Sequence, residues 1–184
     1  MGQDARVRYT KMIIQEKFLS LLEQKPLSRV TVKEICTLAE INRTTFYKYY
    51  SDAFDLMDKI EAGILTELRE AVSHSLDGGL QSTLNRMLEK MQEKSALYTT
   101  LFSENGDPSF PVKIFQTCYE DFAESIPRQL PGLTGSQQVL VYIYTAQGCS
   151  GILTYWIKTG MQEAPEEIAA FISRLIDNTM KSDR

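Results

Sequence analysis

Histidine is almost absent from this chain: His74 is the only one. It falls near the end of an amphipathic stretch and reads as a surface or cap residue. The sequence contains no nucleophile elbow, P-loop, dinucleotide fingerprint or metal-ligand spacing. The acidic pairs Glu120-Asp121 and Glu166-Glu167 sit on helical stretches, where sequence neighbours point apart, so neither forms an acid/base dyad. No catalysis, metal or cofactor is expected. Cysteine is scarce too. Cys36, Cys118 and Cys149 are odd in number, far apart and without a C-x-x-C pair, which suits reduced, mostly buried thiols in a cytoplasmic protein and not a disulfide framework. No apolar run marks a signal peptide at the N-terminus, and no repeat or low-complexity segment is visible.

Charge is missing altogether from Gln129 to Ile157. About 20 apolar residues would cross a bilayer, but Thr145, Gln147, Ser150 and Thr154 interrupt the run, Gly148 and Gly151 weaken it, and no basic cluster flanks it. It reads as a soluble helix buried on most sides, hence as an oligomer interface. Gly148 and Gly151, three apart, permit close approach.

The charge that is present is uneven. Residues 1–51 hold nine Lys/Arg and five Asp/Glu, although the whole chain carries −4. A basic head on an acidic body is the footprint of a protein that meets nucleic acid at one end only. At 184 residues there is material for one large domain or two small ones.

The periodicity is helical throughout. A first helix over Ala5 to Glu23 has Ile14, Phe18, Leu21 and Leu22 inward, Arg6, Arg8 and Lys11 at its start, and Pro26 after its end. A long helix over Ala53 to Ser73 carries Met57, Ile60, Ile64, Leu68 and Val72 on one stripe, and Asp77-Gly78-Gly79 closes it. Further helices are expected over Gln81–Glu93, Ala96–Phe102 and Val112–Ser125, the last with Phe115, Cys118, Tyr119 and Phe122 inward. Loops fall at Ser103–Pro111 and Pro127–Ser136. A final helix starts at Ala164-Pro165-Glu166-Glu167, with Ile168, Phe171, Ile172, Leu175 and Ile176 apolar.

The segment Thr31 to Leu56, TVKEICTLAEINRTTFYKYYSDAFDL, carries the strongest local signals. Thr31 with Glu34 forms a capping box, and Ile35, Leu38 and Ala39 follow as an apolar face. Glu40-Ile41-Asn42 breaks the helix. Asn42 is a good N-cap for a second one, with Ile41 and Phe46 placed as its hydrophobic staple. Phe46 and Tyr50 share the inward face, while Arg43, Thr44, Tyr47 and Lys48 fall together on the other. Two helices with a tight break, the second basic and hydroxyl-rich outside, is the pattern of a helix-turn-helix whose second helix reads the DNA major groove. Arginine, lysine and hydroxyls are the groups that meet phosphates and base edges.

INRTTFYKYYSDAFDLM resembles the TetR family of bacterial transcription regulators, and its R-x-TFY form with a following D-x-x-DL resembles the branch often seen in Firmicutes. The likeness covers Arg8 to about Ala71. A looser one covers the C-terminal GxxGxxxxWIKxG segment from Gly148 to Gly160. The resemblance implies an all-α fold: a three-helix helix-turn-helix DNA-binding domain over residues 1–52, then a helical ligand-binding and dimerisation domain over 53–184. It implies DNA contacts by Lys33, Arg43, Thr44, Tyr47, Lys48 and Tyr49, with Arg43 and Thr44 at base edges. It also implies a homodimer through the last two helices on a pseudo-palindromic double-stranded operator, release by a small-molecule effector, and repression by default. Two positions depart from the family. Glu40 stands where glycine is common, which implies a turn without a left-handed residue. Ala53 stands where a phosphate-binding lysine is common, which implies one contact fewer and weaker affinity. Tyr98, Phe102, Phe115, Tyr119, Phe122, Tyr142, Tyr144, Tyr155 and Trp156 are candidates for an effector cavity or for plain core, and no ligand-binding residue is assigned. Two other readings stay open: a regulator whose C-terminal domain binds a protein partner and acts as a co-activator, and a helical dimer with no DNA role.

Overall fold

The computed structural model describes residues 2–73, 79–122 and 133–181, with side chains over 4–71, 79–116 and 133–179. His74, Asp77-Gly78 and most of the loop over 127–136 lie outside these residues, as do the side chains of Val72, Cys118, Tyr119 and Phe122. Every regular element among the described residues is helical. The helices are α1 (Gly2–Leu22), α2 (Val32–Leu38), α3 (Arg43–Tyr47), α4 (Ala53–Ser73), α5 (Gly79–Glu93), α6 (Ser95–Leu101), α7 (Phe110–Phe122), α8 (Gly135–Lys158) and α9 (Pro165–Lys181), with a 3-10 turn at Leu27–Arg29. The fold is the expected all-α one. Among the described residues no helix is long and apolar enough to cross a membrane.

Contacts divide the chain into two compact units, the first made of Met1–Ile64 with Thr100–Pro108, the second of Leu65–Thr99 with Ser109–Arg184. In the first unit, α1 supplies Ile14, Phe18, Leu21 and Leu22 to a buried core, α2 supplies Ile35 and Cys36, and Phe46, Tyr50, Leu56, Met57, Ile60 and Ile64 complete it. These are the inward faces that the 3.6-residue period specifies. Leu38 is an exception. It was expected on the apolar face of α2 but is 46 % exposed, at the flank of the face that buries Ile35, Cys36 and Ala39.

In the second unit α9 packs on α5 and α7 on α8. Its core includes Leu84, Met87, Leu88, Met91, Tyr98, Ile114, Phe115, Leu153, Trp156, Ala169 and Ile172. The α6–α7 connection is shorter than the sequence suggests: α7 begins at Phe110, so Pro111 lies in its first turn, where a missing N–H costs nothing. The uncharged segment was expected to be buried on most sides as an oligomer interface; within the single chain α8 buries Ala146, Cys149, Ser150, Leu153, Trp156 and Ile157. Val139, Leu140, Ile143, Tyr144 and Tyr155 are exposed. One chain covers only one side of this helix. Tyr144 and Tyr155, candidates for a cavity lining, are thereby on the surface of the chain.

Candidate nucleic-acid interface

The helix-turn-helix is built from its caps inward. The Thr31 hydroxyl accepts from the Glu34 N–H at 3.3 Å, and the Glu34 carboxylate accepts from the Thr31 N–H at 3.1 Å. This capping box starts α2. Lys25 pairs with the same carboxylate. The Lys25 ammonium and the Thr31 hydroxyl and N–H together hold the Glu34 carboxyl at about 2, well below the usual carboxylate range. At the far end of α3's approach, the Asn42 side chain accepts from the Thr45 N–H at 2.7 Å and caps α3.

Between the caps the turn is a Schellman motif, with the Ile41 N–H on the Cys36 carbonyl at 3.0 Å and the Glu40 N–H on the Thr37 carbonyl at 3.4 Å. The motif demands a left-handed residue, and Glu40 has φ 53°. This corrects the sequence expectation: the turn keeps the left-handed conformation and a glutamate adopts it. The physical reason is that the two backbone bonds fix the geometry whatever the side chain, at a steric cost of roughly 1–2 kcal/mol.

The result places α3 with its two faces sorted. Phe46 is 0 % and Tyr50 4 % exposed, and their rings lie 5.6 Å apart. Arg43, Thr44, Tyr47 and Lys48 are all exposed. Lys33 is exposed on α2, and Thr37, one turn further along the same face, is exposed beside it with its hydroxyl turned back onto the Lys33 carbonyl at 2.9 Å. Tyr49 is half-buried. Its ring is edge-on to Tyr50, and the Lys11 ammonium lies 5.5 Å from its centroid. The structure thus brings Lys11 of α1 to the trailing end of α3, and only the pairing of two distant residues reveals this. Arg6 and Arg8 are exposed earlier on α1, which buries nothing among its described residues before Ile14.

Ala53 is 4 % exposed. The position where the resemblance implies a phosphate-binding lysine is a small residue in the core at the start of α4. That start is capped by Asp52, which accepts from the Asp55 N–H, while Asp55 accepts from the Ser51 N–H, both at 2.8 Å. Lys59 bonds the Asp55 carboxylate and the Tyr49 carbonyl, both at 2.9 Å, and this ammonium pulls the Asp55 carboxyl downward. Lys59 therefore ties α4 to the end of the recognition segment and does not replace the absent lysine.

The arrangement can do one kind of chemistry: present cations and hydroxyls from a rigid two-helix corner to a polyanion. Among the described residues no group of three or more His, Cys, Asp or Glu could hold a metal ion.

Comparison with known proteins points the same way. A family profile described as "Transcriptional regulator C-terminal region", of the TetR type, matches residues 79–178. An uncharacterized HTH-type transcriptional regulator of Bacillus subtilis (strain 168), YxbF, is 23 % identical over 170 residues, which are 89 % of this chain and 43 % of that protein. The chain thus spans under half the length of this relative. Among solved structures, a TetR transcriptional regulator from Streptococcus agalactiae 2603V superposes with TM-score 0.65 at 19 % identity, covering 96 % of this chain and 98 % of the other. The dihydroxyacetone kinase operon activator DhaS gives 0.63 at 21 %, covering 94 % and 97 %. At these identities the structural likeness speaks for the fold, while the profile spans more than half of the chain. With an N-terminal helix-turn-helix and a matching C-terminal region, this chain belongs to the TetR family of transcriptional regulators.

Proposed function

We propose that the protein binds a pseudo-palindromic DNA operator as a homodimer, with α3 of each subunit in the major groove of one half-site. One observation carries this reading: Arg43, Thr44, Tyr47 and the C-cap Lys48 are exposed together along α3, whose opposite face is fixed in the core by Phe46, with Tyr50 buried just beyond its end. In this reading Arg43 and Thr44, at the start of α3, meet base edges, and Tyr47, Lys48, Tyr49 and Lys33 meet phosphate and sugar, joined by Lys11, whose ammonium lies 5.5 Å from the Tyr49 ring. Residues 1–52 act as the DNA-binding part and 53–184 as the part that dimerises and senses an effector.

The exposed stripe of α8 supports the homodimer. Tyr144, Gly148, Gly151 and Tyr155 recur at spacings of four, three and four, a pattern that reads the same in both directions. A two-fold axis between Cys149 and Ser150 would set Gly148 against the partner's Gly151 and Tyr144 against the partner's Tyr155, the self-complementarity that an isologous interface requires. The uncharged helix surface of the sequence is then buried by a second copy, and the exposed Phe171 and Leu175 of α9 join it in the interface. Two-fold symmetry requires half-sites about 34 Å apart or a multiple of that.

A small molecule that binds the released state better than the DNA-bound state would free the operator. A ligand at 100 times its dissociation constant raises stability by about 2.7 kcal/mol, so a thermal-shift screen of metabolites and antibacterials identifies it. Repression is the primary reading. Activation is the second, favoured by the similarity to a protein described as an operon activator; a promoter–reporter strain with and without the regulator separates the two by the sign of the change.

The deciding experiment is a gel shift on duplexes selected by the wild-type protein from a random pool. The expected result is a salt-sensitive complex that Arg43→Ala weakens by about 1–3 kcal/mol with loss of discrimination at one base pair, and that Lys48→Ala weakens uniformly across sequences. Binding unchanged in the double variant would sink the DNA reading.

A further inference from the structure

The last turn of a helix leaves four carbonyls without helical donors. In α1 the Leu19 carbonyl takes the Glu23 N–H at 3.1 Å, the Ser20 carbonyl takes the Gln24 side-chain amide at 3.1 Å, and the Leu21 carbonyl takes the Lys25 N–H at 3.1 Å. The Leu22 carbonyl would be met, in a continuing helix, by the N–H of residue 26. Residue 26 is proline and has none. The donor comes instead from a residue 83 positions away: the Asn105 side-chain amide bonds the Leu22 carbonyl at 2.8 Å. On the other side of the proline, the Leu27 N–H bonds the Asn105 backbone carbonyl at 3.0 Å. One residue thus brackets Pro26, donating before it and accepting after it.

The segment that offers Asn105 is shaped for the purpose. Ser103 and Gly106 close a tight return, with the Gly106 N–H on the Ser103 carbonyl at 3.2 Å and the Asn105 N–H on the Ser103 hydroxyl at 3.3 Å. A Cβ at Gly106 would run into the Leu101 carbonyl oxygen, so no other residue fits without a backbone shift. Although Thr100–Pro108 joins α6 to α7, it is part of the first compact unit. The stretch that Asn105 fixes leads straight to the DNA-reading elements. Lys25 pairs with the Glu34 carboxylate that closes the α2 cap, and the 3-10 turn over Leu27–Arg29 delivers buried Val30 and the N-cap Thr31.

We propose that Asn105 is a positioning residue for the DNA-reading surface: it clasps both sides of Pro26, sets the α2 cap, and so carries any displacement of the α6–α7 segment into α2 and α3. This rests on the DNA reading above, and two independent readouts keep the two apart. The first is amide exchange at Leu27 and Val30, measured on the full chain well below its melting temperature. Asn105→Ala should raise it about tenfold, as loss of one part-buried hydrogen bond does. Asn105→Asp should raise it further, because a carboxylate cannot donate and faces the negative end of α1. The decisive arm is a cycle with Pro26→Ala, which restores a donor at residue 26; in that background Asn105→Ala should change exchange by less than about threefold. The second readout is affinity for a duplex selected by the wild type, expected to fall in the same order at a temperature where every variant remains folded. Equal effects of Asn105→Ala with and without Pro26, or a lowered melting temperature with exchange at Leu27 and DNA affinity both unchanged, would overturn the clasp. If the wild type selects no duplex, the DNA reading fails, and exchange with its Pro26 cycle still decides whether Asn105 holds the cap.

Discussion

The chain turns a corner twice with the same backbone motif. At the end of α2 the Ile41 N–H reaches the Cys36 carbonyl, and at the end of α8 the Met161 N–H reaches the Trp156 carbonyl at 2.8 Å, with the Gly160 N–H on the Ile157 carbonyl at 3.0 Å. Both are Schellman caps. The left-handed position is filled by glycine at 160, with φ 87°, and by glutamate at 40, with φ 53°; the second corner adds a further left-handed residue, Met161, also at φ 53°, which the first lacks. The second corner also has a side-chain lock, the Trp156 indole N–H on the Glu163 carbonyl at 2.9 Å, and Met161 beside it is buried at 7 % exposure. What the two corners present differs in kind. The helix after the first shows solvent Arg43, Thr44, Tyr47 and Lys48; the helix before the second shows it Leu140, Tyr144 and Tyr155 around two glycines. Turns closed by the same two backbone bonds thus serve two partners. A hydrated polyanion calls for charge and hydroxyls on the exposed face, and a second apolar helix calls for their absence.

The largest expected effect comes from giving the apolar corner the chemistry of the polar one. A Cβ at Gly151 meets nothing within 4 Å in the single chain, so Gly151→Arg fits sterically there, and arginine is the better helix former by roughly 1 kcal/mol. In the proposed dimer the same guanidinium is buried without a partner, at about 3–5 kcal/mol. Sedimentation should therefore show a folded monomer, with a dimer dissociation constant raised by about 100-fold or more and operator affinity lost alongside it. A variant that stays dimeric would remove α8 from the interface.

Next in size is an exchange of the two corner residues. Gly160→Glu puts a Cβ at φ 87° and should cost about 1–2 kcal/mol in a denaturant melt. Glu40→Gly relieves the same strain but frees the unfolded chain, so its gain should be smaller, about 0.5–1 kcal/mol. Opposite signs are the prediction. If both variants destabilise, Glu40 makes contacts in the folded head that offset its strain, and the equivalence of the corners fails.

These cases show where the sequence was readable. Thr31 with Glu34, and Asn42 ahead of Thr45, are signals confined to one helical turn, so the N-caps, and with them the starts of α2 and α3, follow from the residue order. The faces of α3 follow from its period, and the exposed side chains at Lys33, Arg43, Thr44, Tyr47 and Lys48 with it. Glu40 was not readable, because nothing in a glutamate announces positive φ; the backbone bonds of its neighbours impose it. Leu38 was misread, and the stripe on α8 is left uncovered by its own chain, for a shared reason. Apolar spacing tells which residues avoid water, not whether the same chain supplies the cover. Asn105 lay furthest from view, since a donor for Leu22 could come from any loop, and only Pro26 showed that one was needed.

The smallest effect tests the polar corner alone. The Glu34 side chain keeps 42 % of its surface open to solvent, so its pairing with Lys25 is screened and contributes little, but its direction with pH is definite. The ammonium of Lys25, with the Thr31 hydroxyl and N–H, lowers its pKa from 4.5 to about 2. A carboxyl depressed by folding binds protons more readily in the unfolded chain, so its contribution is complete above about pH 4.5 and disappears as the pH falls towards 2. Glu34→Gln can still close the capping box, since glutamine accepts from the Thr31 N–H, but it cannot titrate or pair with Lys25. The melting temperature of the wild type should therefore fall more steeply than that of Glu34→Gln between pH 4.5 and 2, and the two curves should run parallel above that window. Adding 1 M salt should shrink the difference, because an exposed pair is screened at a Debye length of about 3 Å. Parallel curves across the whole range would mean that the cap holds α2 through its hydrogen bonds alone, and that Lys25, three residues beyond the Asn105 clasp on Leu22, does not couple the end of α1 to the start of α2.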